Sequence, residues 1–281
     1  MGKLISVWGP TGAPGRSIIA FNLAAEMAEL GSRVLLVDAD VYGGALGSLA
    51  GITDEVAGFA AVCRLTDSND DVLEDVIRYA HSITGFEDRL HLLTGITRPS
   101  RWPELSAMRV TAFVDAVRDG FDAVVVDVGF NLERDEEISS DLFAPRRNAA
   151  TLTLLENADV VMAVSNSDAL GLSRFIRAYD DLSEVCPDAM RQVVVNRVRK
   201  RIDMSGSSHP RAILERFAGL RDIVELPEDL SAVNTSVLLG KPLVQAAAQS
   251  KIRRAFTTLA RSLVNVPEVI SPRGRFALRR S

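Results

Sequence analysis

Cysteine is scarce in this chain, with two in 281 residues, Cys63 and Cys186. They lie far apart without metal-like spacing. A disulfide framework is excluded, and buried free thiols in a reducing compartment are expected. Long apolar runs are missing too. None approaches the ~18 residues of a membrane span, and "MGKLISVWGP" breaks too early for a signal peptide. The expected location is therefore cytoplasmic. Neither sign of charge is in large excess: the net charge is −5, too mild to argue for a polyanionic partner of the whole chain. The balance is uneven, because from Lys251 onward eight Lys or Arg face one acid, Glu268. Internal repeats and low-complexity linkers are also absent.

What is present is an ordinary globular composition, 47% hydrophobic and 25% charged. The length allows one large α/β domain or two small ones. "LISVW", "RVLLVDAD", "LHLLTG", "DAVVVDVG", "DVVMAVS" and "QVVVN" read as strands. They are nearly continuous apolar runs, as parallel strands buried on both faces are. Helical spacing is seen over 16–30, where Ile19, Leu23, Met27 and Leu30 share a face before Gly31. Further helical stretches are expected near 104–118, 169–184 and 208–217. The segment 43–89 is less periodic and suggests short helices at a variable edge. Alternating strands and helices predict an α/β fold, a doubly wound, mostly parallel sheet with helices on both faces. The expected division is one domain over 1–264 and a basic tail over 265–281.

The first turn, "GPTGAPGRS", joins the first strand to the first helix. A glycine-rich turn there exposes backbone N–H groups, and the helix N-terminus adds partial positive charge, so an anion is favoured. A structural turn without ligand is the plain alternative. Glycines 9, 12 and 15 also fit the G-x-x-G-x-x-G turn of extended Rossmann dehydrogenases, with Asp38 toward a ribose. Those enzymes commonly need a Tyr-x-x-x-Lys pair. Tyr42, Tyr79 and Tyr179 are followed four residues later by Leu46, Ile83 and Ser183, which weakens that reading. The third reading is a P-loop, G-x-x-x-x-G-K-S/T, ending in Gly15, Arg16 and Ser17, although its first glycine falls on Pro10 and the motif alone matches poorly. Ser17 then suits Mg²⁺ and Arg16 suits phosphate oxygens.

Downstream acids favour the P-loop. "VLLVDAD" ends in Asp38 and Asp40, and "VVVDVG" ends in Asp127, the form of a Walker B element. Carboxylates at a sheet edge beside a phosphate loop can hold a Mg²⁺ shell or orient water.

With "GPTGAPGRS", "VDADVYGGALG", "VVVDVG", "VVVNRV" and "LPEDLSAVNTSVLLGKPL" in this order, the chain resembles the MinD/ParA superfamily of deviant-Walker P-loop ATPases. Its nearest resemblance within that superfamily is to the CpaE/TadZ pilus-assembly and septum-site branch. The resemblance implies ATP or ADP with Mg²⁺ as cofactors. Gly12, Ala13, Gly15, Arg16 and Ser17 would hold the phosphates, and Asn196, Pro227 and Asp229 would face the adenine. Ser17, Asp38 and Asp127 would serve the metal, with Asp40 and Arg16 in catalytic roles. It also implies a homodimer, a protein partner from a positioning machinery, and a peripheral place at the inner membrane or cell pole.

Three residues depart from the family loop, K-G-G-x-G-K-S/T: Thr11, Arg16 and Ala13, which takes the place of the second glycine. Thr11 stands where the signature lysine, which in the family crosses to the partner's nucleotide, would be. Arg16 stands where the phosphate lysine would be. Threonine supplies no charge, and arginine's planar fork aims differently from an ammonium. A slow ATPase acting as a spatial-positioning switch is expected, with a pseudo-ATPase that works as a dimeric scaffold as the alternative. In the tail, Arg273, Arg275, Arg279 and Arg280 surround Phe276 and Leu278. A solvated tail is the plain reading, weak membrane contact the next, and nonspecific DNA contact after that.

Overall fold

The computed structural model describes residues 1–12, 14–53, 56–67, 71–134, 146–199 and 209–264. Among these, eight strands form one sheet: β1 (Lys3–Trp8), β2 (Val34–Ala39), β3 (His81–Ser82), β4 (Leu90–Leu93), β5 (Ala123–Val128), β6 (Val160–Asn166), β7 (Met190–Val198) and β8 (Ile223–Pro227). Their order is β3-β4-β2-β5-β1-β6-β7-β8, and all neighbours run parallel except β3 and β4. The connecting helices are α1 (Arg16–Glu29), α2 (Leu46–Leu49), α3 (Gly58–Leu65), α4 (Val72–Tyr79), α5 (Ala107–Gly120), α6 (Ala149–Glu156), α7 (Ala169–Val185), α8 (Pro210–Ala218), α9 (Leu230–Leu239), α10 (Leu243–Ala246) and α11 (Lys251–Leu263).

The apolar strands are buried on both faces because side chains alternate between two cores. Leu4, Val124 and Val126 face α3, α5, α6 and α7, where Phe59, Phe113 and Phe175 fill the space. Ile5, Val7 and Val125 face α1 and α11, with Phe21 and Phe256. This is the doubly wound α/β sheet that the alternation predicted.

The winding reverses at β1, with β5, β2 and β4 on one side and β6, β7 and β8 on the other. Such a reversal leaves a crevice at the carboxyl ends of the strands, where open α/β sheets bind ligands. The loop after β1 opens into it.

Several stretches differ from the sequence expectation, among them α6, which matches no expected helix, and β3, a short strand inside the segment expected to hold helices. The helix near 104–118 spans Ala107–Gly120, after a 3-10 turn over Pro99–Glu104. Ser106 sets its start by accepting from the Arg109 N–H at 3.5 Å. β8 was not anticipated, because Glu225 interrupts "IVELP" and the strand is a half-exposed edge. α11 lies inside the expected domain but is not among the expected helices, and it buries Ile252, Phe256, Leu259, Ala260 and Leu263. Cys63 and Cys186 are free and buried, as expected. The tail call, 265–281, lies outside the described residues.

Candidate functional site: the glycine-rich loop and its acids

Gly12 and Gly15 have φ of +110° and +94°, the left-handed region that favours glycine. Gly15 is also the N-cap of α1, and no side chain caps that helix end. The amides of the first turn of a helix have no partner within it, which suits an anion. Ala13 lies outside the described residues.

Asp38 and Asp127 are direct neighbours in the β2–β5 register. Asp38 accepts from the Leu46 N–H at 2.9 Å and the Asp40 N–H at 3.3 Å. Burial pushes it up to about 6, with the negative Asp40 adding to the rise while the backbone donors restrain it. Asp127 is fully buried, and neither carboxylate oxygen meets a hydrogen-bond donor. Burial, and then the charge on Asp38, push it up to about 8. The Ser17 hydroxyl lies beside it and tempers that rise, but stops short of hydrogen-bond geometry.

An orphaned buried carboxylate is costly, and a divalent cation relieves it. Ser17 and Asp127 supply the hard oxygens that Mg²⁺ takes. Among the described residues, no group of three or more His, Cys, Asp or Glu is arranged as a metal cage. A sparse protein donor set fits Mg²⁺, which keeps waters and shares phosphate oxygens.

Arg16 is turned inward. Its guanidinium donates to the Gly9 carbonyl at 3.0 Å and to Asp40 Oδ2 at 2.9 Å. The other Asp40 oxygen accepts from the N–H groups of Tyr42 at 2.9 Å and Gly43 at 3.3 Å. The two residues expected to act on phosphate and water therefore neutralise one another here.

Asn196, at the carboxyl end of β7, clamps the loop. Its amide donates to the Pro14 carbonyl at 2.7 Å, and a methyl group on Gly15 would overlap it. Pro227 ends β8 at the same edge of the sheet. Asp229 caps α9, accepting from the Ala232 N–H at 3.2 Å. Of the three residues expected at the adenine, Asn196 is the one that bonds to the loop.

Sequence reasoning missed several neighbours. The Tyr42 hydroxyl donates to Asn148 at 2.7 Å, Arg147 lies over its ring at 4.2 Å, and Phe130 packs beside it at 4.9 Å. These contacts tie the exit of β2 to the exit of β5 and the start of α6. The signal available in the sequence is an aromatic two residues after "DAD". The loop also gains a cation. Arg16 was its only one by sequence, whereas the fold lays Arg174 of α7 against Gly12.

Residues 5–236 match the family described as the CobQ/CobB/MinD/ParA nucleotide binding domain. The chain belongs to that family. Among curated relatives, the septum site-determining protein MinD of Synechocystis is 26% identical over 267 residues, 94% of this chain and 90% of the relative. The cell division ATPase MinD of Pyrococcus furiosus superposes with a TM-score of 0.71 at 21% identity, covering 94% of this chain and 98% of that one. MinD of Pyrococcus horikoshii, solved as a complex with Mg-ADP, gives 0.69 at 19% identity, over 94% and 97%. At such identities the structural likeness speaks for the fold. Among the described residues of this MinD/ParA-type chain, no helix is long and apolar enough to cross a membrane.

Proposed function

We propose that this chain binds ATP or ADP with Mg²⁺ in the crevice beside β1 and works as a nucleotide-dependent spatial-positioning switch. Septum placement, pilus or secretion-system localisation and partition are the processes it would serve. Asp127 carries this reading: a buried carboxylate without a donor, beside Ser17, under a glycine loop at a helix N-terminus. Ser17 and Asp127 would hold the metal, which neutralises phosphate charge when bound. Gly12, Gly15 and Ser17 would wrap the phosphates, with Asn196, Pro227 and Asp229 on the base side.

Hydrolysis is expected to be slow. Position 11 has no cation, Pro14 has no N–H to offer a phosphate, and Asp40 is held by Arg16. That ion pair also favours a second reading, a pseudo-ATPase that serves as a dimeric scaffold and bears its partner whatever its nucleotide state. Gel filtration with light scattering separates the two. The switch reading expects dimers in ATP and Mg²⁺ and monomers in ADP. An oligomeric state that ignores nucleotide overturns the switch and favours the scaffold.

A further inference from the structure

The loop has no cation of its own to offer a ligand. Position 11 is threonine, and Arg16 is committed to Asp40 and the Gly9 carbonyl. Arg174 is the opposite case. It makes no hydrogen bond or ion pair with any described residue, and its side chain is exposed. Its Nη1 nevertheless packs so close to Gly12 that a methyl group there would overlap it.

The placement is built. Asp168 caps α7 by accepting from the Gly171 N–H at 2.9 Å. Gly171 packs on Asn166, whose amide donates to the Gly12 carbonyl at 3.5 Å. Residues three apart share a helix face, so Arg174 follows Gly171 toward the loop. Beside it lies a cleft of about 770 Å³ whose walls include Thr11, Phe130, Arg174 and Arg177.

We propose that Arg174 is a phosphate-contacting residue, supplying from α7 of the same chain the cation that position 11 lacks. This rests on the reading of the loop as a nucleotide site. Arginine's fork suits phosphate oxygens, and an exposed guanidinium without a partner among the described residues need not leave one of them to reach a phosphate.

Isothermal titration of the full chain with ATP and Mg²⁺ tests it. Arg174→Ala is expected to weaken ATP binding by about tenfold or more, the size of a lost charge-assisted contact. Arg174→Lys should retain most of the affinity, and Thr11→Lys added to Arg174→Ala should recover part of it. Binding of adenosine, which has no phosphate, should not change. Thermal melts check that each variant folds. If the parent binds ATP and Arg174→Ala binds it equally well, the assignment of Arg174 is wrong and the nucleotide site stands. If the parent binds no ATP, the nucleotide reading itself fails, and this assignment with it.

Discussion

Arg16 and Asp40 lie 2.9 Å apart, nearly out of water, and a phosphate entering the loop competes with that carboxylate for the guanidinium. Removing one partner of a buried pair leaves the other uncompensated, at a cost of about 3 kcal/mol. Asp40→Asn should therefore lower the stability of the nucleotide-free protein by about that amount in urea denaturation. It should also tighten ATP binding, because Arg16 is then free to turn outward. Unchanged affinity would show that the pair does not oppose the ligand. Asp127 and Asp38 make a second prediction, on pH. Burial raises both, so the folded chain keeps protons that the unfolded chain releases. Their stabilising contribution is fully present below about pH 4, the ordinary aspartate value. It is lost as pH rises through about 6 for Asp38 and about 8 for Asp127. Asp127→Asn removes the upper part of that loss. In urea denaturation it should lose less stability than the parent between about pH 6 and about pH 9. Equal losses would contradict the assignment.

Among the elements, α1 matters most, because its N-terminus faces the ligand crevice while its flank is anchored far away in sequence. Glu26 accepts from Arg253 and from the Thr257 hydroxyl of α11, both at 2.8 Å, and Asn22 accepts from the Leu243 N–H at 2.7 Å. Glu26→Ala strands a half-buried arginine, and a loss of about 3 kcal/mol is expected by chemical denaturation. Glu26→Gln, which keeps an acceptor for Thr257, should cost less. A loss below about 1 kcal/mol for the alanine variant would place the anchor elsewhere. These elements were not equally legible in the sequence. β1, β2, β5 and α1 stood out because continuous apolar runs and a clear helical period follow from burial on both faces. β8 stayed hidden because an edge strand needs fewer apolar residues, and α11 because its arginines drew attention to charge rather than to Phe256 and Leu259.

For the whole molecule, the reversal of winding at β1 gathers residues from five segments of the chain around one loop: Ser17, Asp38, Asp127, Asn196 and Arg174. The order of motifs made the first four legible as candidates. Their pairings were not, because residue types do not say that Arg16 turns to Asp40, that Asn196 holds Pro14, or that α7 lays an arginine on Gly12. Those contacts depend on the packing of distant elements. The central claim is that Ser17 and Asp127 hold a magnesium nucleotide at this loop. Isothermal titration of the full chain with ATP, once in Mg²⁺ and once in EDTA, tests it most directly. The account predicts binding in Mg²⁺ that weakens in EDTA, and an Asp127→Asn variant for which the two buffers differ far less. Absence of binding in either buffer, or equal affinity in both for the parent, would contradict it.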